Sequence, residues 1–377
     1  MLLKYLLLYI KGVVGTMNKK IIMISIVGLF LLSGAVGFSA AGNKIVEKTF
    51  SSTLNSNVLY VGGNGPGNYT YIQDALDDAS NGDIVYVYSG TYYESVNISV
   101  SIALVGENKD TAIIDNLGNW YSVIKIDADD VSISCFTLKN SGASGPPAYN
   151  HGGIAVYTSR NCIISDIILS EMEYGIIISQ DSDTVSIINN SISQMALAGV
   201  YITHNSQNIF VDNNEIDNSW FGICCRKDSS DIFLSENHIS LCESIGILVS
   251  EIDTVEVSNN HLFENDEGVS IIDSSDSKVT SNIFEGNTIG LGLSNVEKYE
   301  VNLNNFLNNE RHAFFSSKFS SILRDEHIWD ANYWGQSFLP FKIIFGRVGL
   351  LEDYVIPPLF YNFFLIDHNP VKNPYAI

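Results

Sequence analysis

Residues 175–216 read GIIISQDSDTVSIINNSISQMALAGVYITHNSQNIFVDNNEI, and they hold one pattern written nearly twice. Gly175 and Gly199 each open a run with apolar side chains one and three residues on, Ile176 with Ile178 and Val200 with Ile202. Fifteen residues after each glycine stands an asparagine, Asn190 or Asn214, and two residues later an isoleucine, Ile192 or Ile216. Working outward, the glycine recurs at Gly153, Gly175, Gly199, Gly222, Gly246, Gly268 and Gly290, at steps of 22, 24, 23, 24, 22 and 22 residues. The asparagine recurs at Asn190, Asn214, Asn237, Asn260, Asn282 and Asn304. The third register holds Ile192, Ile216, Ile239, Leu262, Phe284 and Phe306. A fixed period of this length marks a repeat architecture. Period-two alternation with Val, Ile and Thr marks strands. The fold class expected is all-β, a right-handed parallel β-helix of 22–24-residue coils, each coil three short strands stacked at about 4.8 Å on the next.

The pattern also predicts faces. Residues one and three beyond each glycine should point inward and the residue between them outward. That outward column reads Ala155, Ile177, Tyr201, Cys224, Leu248, Ser270 and Gly292, with neither carboxylate nor histidine. The asparagine column is expected to be structural. Asparagine tolerates a left-handed turn backbone, and stacked amides can bond from coil to coil.

Upstream, Ile84–Tyr88, Ser95–Val105 and Val123–Leu138 alternate as strands, and Val58–Val61 precedes the turn run Gly62–Gly67. Between them Ile72, Ala75, Leu76 and Ala79 share a helical face. A cap helix over about 69–80 is expected, because an open solenoid end exposes core and unpaired strand edges. The β-helix is thus placed at 58–313, with a linker over 42–57. From Met17, Asn18-Lys19-Lys20 is followed by the uncharged stretch Ile21–Phe38 and by Ser39-Ala40-Ala41, so residues 1–41 are expected to be an export signal or, uncleaved, a membrane anchor. From Phe314 the register fades while Trp329, Tyr333, Trp334, Phe338, Phe345, Phe360, Tyr361, Phe363 and Phe364 accumulate, so 314–377 is expected to be an aromatic C-terminal cap.

The balance of 20 Lys and Arg against 42 Asp and Glu, a formal charge of −22, argues against a nucleic-acid partner, since phosphate backbones would be repelled. Charged residues are only 16% of the chain, so the acidity is spread over a neutral polar surface suited to an extracytoplasmic protein. Cys135, Cys162, Cys224, Cys225 and Cys242 lack metal-ligand spacing and are expected as small buried hydrophobes.

Ile72-Gln73-Asp74-Ala75, Gly82-Asp83-Ile84-Val85-Tyr86-Val87, Gly90-Thr91-Tyr92, the run Val131–Leu138, the glycine and asparagine registers and Asn332-Tyr333-Trp334-Gly335 together resemble the NosD-like proteins, a periplasmic copper-binding family. They also resemble the wider carbohydrate-binding and sugar-hydrolase β-helix group. The likeness covers about residues 58–335. It implies a β-helix, copper as a cofactor, and polysaccharide or envelope partners. Cys135 stands where the family usually has glycine.

β-Helix hydrolases need converging carboxylates, or calcium with a basic residue. Asp129-Asp130 followed by His151-Gly152 imitates such a set without completing it. Glu256, Lys278 and Glu300 are expected as a surface salt-bridge ladder. Glu215, His238 and His261 each follow a register asparagine in successive coils. Two imidazoles and a carboxylate so stacked, with Asp217 or Glu285 nearby, form the candidate metal site, for copper or zinc. Catalytic residues are not identifiable. The expected function is non-catalytic binding of glycans or envelope partners, reaching the membrane only through an uncleaved N-terminal segment. The alternatives are a polysaccharide hydrolase or lyase, with carboxylates in loops such as Asn140–His151 or Asp228–Asp231, and a copper-handling accessory protein.

Overall fold

The computed structural model describes residues 56–142, 151–318, 327–335, 342–349, 360–367 and 369–375. The expected signal or anchor segment 1–41, the linker up to Asn55 and Phe338 lie outside these residues. No helix among the described residues is long and apolar enough to cross a membrane.

Strands assemble into three parallel sheets that share each coil in a fixed order. The first has twelve strands from Val58–Val61 to His327–Asp330, and the second has ten, from Gly90–Tyr92 to Asn305–Leu307. The third runs from Val96–Ile98 to Arg311–Lys318 and ends in Lys342–Gly349 and Phe360–Asp367, which pair antiparallel. The register is the one the repeat dictates: Ile176 pairs Val200, Ile192 pairs Ile216, and Val200 pairs Ile223. Inward columns of Ile, Val and Leu form one continuous core in which Ile176, Ile178, Val200, Ile202, Ile247 and Val249 are fully buried. Each such side chain contributes roughly 1.5–3 kcal/mol by leaving water.

The helix spans Ile72–Asp78 and buries Ile72, Ala75 and Leu76. Its first turn is tied down by Glu94, whose carboxylate accepts the Ile72 and Gln73 N–H groups at 2.8 and 3.0 Å.

The asparagines form the coil-to-coil amide ladder expected of them, but they do not occupy the left-handed turn position. Asn214 Oδ1 accepts both the backbone N–H and the Nδ2 of Asn190 at 2.9 Å. The same double bond repeats through Asn237, Asn260, Asn282, Asn304 and Asn332. The left-handed backbone lies one residue earlier, at Asn189, Asn213, Glu236, Asn259, Ser281 and Leu303, with φ between 52° and 59°. Residue identity there varies, whereas the buried position must supply both a donor and an acceptor to the adjacent coils. A second ladder, Asn265 to Asn287 to Asn309, lines the next corner.

Three further expectations change. The column read as outward does face away from the main core, yet Ala155 and Ile177 are fully buried and Cys224 and Leu248 nearly so. Cys224 and Leu248, with Ala198, form a second cluster against Tyr174, Tyr201, Phe221, Ile245 and Ile272, in which the Tyr174 and Tyr201 rings stack at 5.2 Å. Glu256, Lys278 and Glu300 pair in register, but the ion pairs of the described residues are Lys125–Asp127, His261–Glu285 and Lys298–Asp276. Finally, the coils continue past Phe314: Gly292 pairs Phe314 and Tyr299 pairs His327. The period is hidden there because the step from Asn304 to Asn332 is 28 residues. Trp334 joins the core, stacked on Phe306 at 4.3 Å, and Trp329 is also buried.

Candidate functional site

The corner between the second and third sheets repeats three positions per coil. The first carries left-handed backbone at Glu171, Gln194 and Asn218, with φ of 60°, 59° and 49°. Each donates its N–H to the next coil, at Ser193, Asp217 and Ser240. This projects three polar side chains along one edge. The second position, Met172, Met195 and Ser219, is buried and forms a floor. Next come Glu173, Ala196, Trp220 and Glu243. Because Ala196 is small, a cleft of about 350 Å³ opens between Glu173 and Trp220. Trp220 is 45% exposed, with its indole edge-on to Phe221 at 6.4 Å.

Burial pushes the Glu173 carboxyl up, and the nearby His151 opposes that shift. The register brings the two together: Gly152 pairs Tyr174, so His151 and Glu173, one residue earlier, are neighbours in adjacent coils. His151 is itself buried, and its Nε2 has no hydrogen-bond partner. The cleft therefore offers an aromatic face, three carboxylates and two side-chain amides, with no basic residue among the described residues that line it. An aromatic plane suits the apolar face of a sugar ring, and carboxylates and amides accept or donate to its hydroxyls.

The residues singled out in the sequence are placed as their spacing requires. Glu215 pairs His238, and His238 pairs His261. The two imidazoles lie 4.9 Å apart at 70°, and His261 Nε2 faces Glu285 Oε2 at 3.1 Å. Burial lowers the His261 pKa while Glu285 works the other way. Glu215 and His238 instead line a second cleft of about 330 Å³ with Lys109, Asn189, Asn213 and Glu236. Asp217 accepts a bond from Asn218 Nδ2. Among the described residues, no group of three or more His, Cys, Asp or Glu could hold a metal ion.

The thiols do not supply a softer set. All five are free, and four are buried. Burial pushes Cys162 and Cys224 up to about 11 and Cys242 up to about 12, away from the thiolate a metal needs. These donors do not fit a resident copper.

Asp129 and Asp130 serve the chain itself, accepting from the Arg160 N–H at 2.8 Å and from Asn161 Nδ2 at 3.1 Å, while His151 goes to the far corner beside Glu173. They form no catalytic set. The sequence reading missed Trp220 with its flanking Glu171, Glu173 and Glu243. The available signal was positional: Trp220 and Glu173 each lie two residues before a register glycine. Also missed was Glu267, immediately before Gly268, which brings a carboxylate to the outer face of the third sheet. Burial pushes it up to about 7, and it lies over Gly292, where a Cβ would collide with its Oε1.

Stacked three-sheet coils with polar corner clefts define a protein of the parallel β-helix class. A family model described as "Periplasmic copper-binding protein (NosD)" matches residues 140–339, just over half of the chain. The chain belongs to this NosD family. A comparison with curated proteins finds no match. Among solved structures it is similar to the A-module of mannuronan C-5 epimerase AlgE4 from Azotobacter vinelandii, with 16% identity and a TM-score of 0.55, over 65% of this chain and 76% of that one. It is also similar to PfbA, a surface adhesin of Streptococcus pneumoniae, with 16% identity and a TM-score of 0.51, over 74% and 84%. The GH136 lacto-N-biosidase from Eubacterium ramulus aligns at 12% identity and a TM-score of 0.51, over 70% and 64%. Identities this low speak for the fold.

Proposed function

We propose that this chain is an extracytoplasmic β-helix protein that holds a glycan in the Trp220 cleft without cleaving it. The observation that carries this reading is Trp220, a large aromatic left 45% exposed beside a 350 Å³ cleft bordered by Glu171, Glu173, Gln194, Asn218 and Glu243. Rigid aromatic planes with polar groups at their rim are what a hydroxyl-rich ring needs. Membership of a periplasmic family and the signal-like 1–41 segment support the location. The carboxylates that border the cleft are not arranged around a metal.

A glycan array run with the full chain and with Trp220→Ala tests the reading. Binding by the first that the second loses by tenfold or more is expected. Equal signals would remove Trp220 from the site. Release of reducing ends from a bound polysaccharide would replace the binding reading with a hydrolytic one.

A further inference from the structure

The charge pattern of the Trp220 cleft decides which sugars can enter it. We infer that the cleft takes neutral or amino sugars and rejects uronic-acid polymers, a specificity that rests on the glycan reading above. Its border carries Glu171, Glu173 and Glu243, and the described residues that line it include no lysine or arginine. The side chains between them are Gln194, Asn218 and Ser219, all neutral hydrogen-bonding groups. The other corner cleft is unlike it, since Lys109 and His238 there stand among Glu215 and Glu236.

A hexose hydroxyl can donate to each of these carboxylates, and an ammonium group on an amino sugar gains a charge-assisted bond. A uronate brings a carboxylate of its own. At about 4 Å from a fixed carboxylate it loses on the order of fivefold in affinity even at the dielectric constant of water, and more where the protein excludes water. No described residue of the lining offsets that repulsion.

Isothermal titration of the full chain with three oligosaccharides of equal length tests this: chito-oligosaccharide as the N-acetylated neutral ligand, its deacetylated form as the cation, and oligogalacturonate as the anion. Binding of at least one of the first two, with oligogalacturonate at least tenfold weaker, is expected. Because the whole protein is acidic, the local charge must be separated from the net charge of −22. The triple substitution Glu171→Gln, Glu173→Gln and Glu243→Gln removes three charges from the cleft alone. It should raise oligogalacturonate affinity by at least fivefold, with the melting temperature confirming the fold. Oligogalacturonate binding as tight as the neutral ligand, or no gain in the triple variant, overturns the charge rule and leaves the glycan reading standing. No binding of any of the three, together with an empty glycan array, overturns the reading itself.

Discussion

Asp367 closes the amide ladder that ends at Asn332. One carboxylate oxygen, Oδ2, accepts the Asn332 backbone N–H and its Nδ2, both at 3.1 Å, and also Trp334 Nε1 at 2.8 Å. The carboxylate is fully buried, so these bonds supply what water cannot. Seven coils of asparagine thus hand their unsatisfied donors to a single acceptor contributed by the last strand of the third sheet. Replacing Asp367 by alanine leaves three buried donors unpaired and should cost about 3–5 kcal/mol, whereas Asp367→Asn keeps one acceptor and should cost less. Urea unfolding followed by circular dichroism reads the order; equal loss in both variants would mean that charge matters and geometry does not.

Within the ladder, neighbouring residues should differ sharply. Asn260 accepts the N–H and Nδ2 of Asn237 and donates to Leu234 O and Asn282 Oδ1. Asn260→Ala should therefore destabilise by ~3 kcal/mol. Asn259, at φ 57°, only needs a residue that tolerates the left-handed region, so Asn259→Gly should change the unfolding midpoint little.

The register glycines leave no room for a side chain. A Cβ at Gly199 would meet the Gly222 carbonyl oxygen and Ile216 Cγ2, both at 2.7 Å, and the carbonyl belongs to a strand that cannot recede without breaking its own pairing. Gly199→Ala should cost about 1–3 kcal/mol, read as a lower melting temperature. Gly118, with nothing within 4 Å and φ 75°, should accept Asn with little change.

Glu267 makes stability depend on pH. Its carboxyl is pushed from 4.5 to about 7, first by burial and then by Asp266, with Ser270 opposing. Below the unfolded value both states are protonated and nothing is lost. As pH rises through the window from 4.5 to about 7, the unfolded chain ionises first, and stability falls by up to ~3 kcal/mol. Glu267→Gln should raise the melting temperature at pH 8 and leave it unchanged near pH 4; an unchanged difference between wild type and variant across the range would exclude this account.

For the histidine column, Glu285 already engages His261 Nε2, and the His238 ring lies at 70° to it. Calorimetric titration with Cu(II) should therefore give the same isotherm for the wild type and for the double variant His238→Ala with His261→Ala. Loss of a tight phase in the variant would restore the column as a metal site.

How far the chain could be read follows from where its period holds. Gly175, Asn190 and Ile192 recur with their partners at coil spacing, so strand number, inward faces and register were legible from residues 153–311 alone. Each coil repeats the environment of the last, and stacking in register is the one arrangement that buries every aliphatic column. The 28-residue step to Asn332 hid the final coil, and the partner of Asn332, Asp367, comes from an antiparallel pair that no repeat announces.

The site was less legible than the fold. Glu171 and Glu173 come from one coil and Trp220 and Glu243 from two others, at offsets of two to four residues from their glycines, and what joins them is the small side chain of Ala196 between two larger neighbours. In the same way, Glu215, His238 and His261 were correctly predicted to stack, but side-chain rotation sent one imidazole to Glu285 and left the other on a separate cleft. The local pattern dictated which residues share a column, because backbone pairing is set by period. Only the tertiary packing decided which columns open to solvent, which close over one another, and which carboxylates stand beside a free aromatic face.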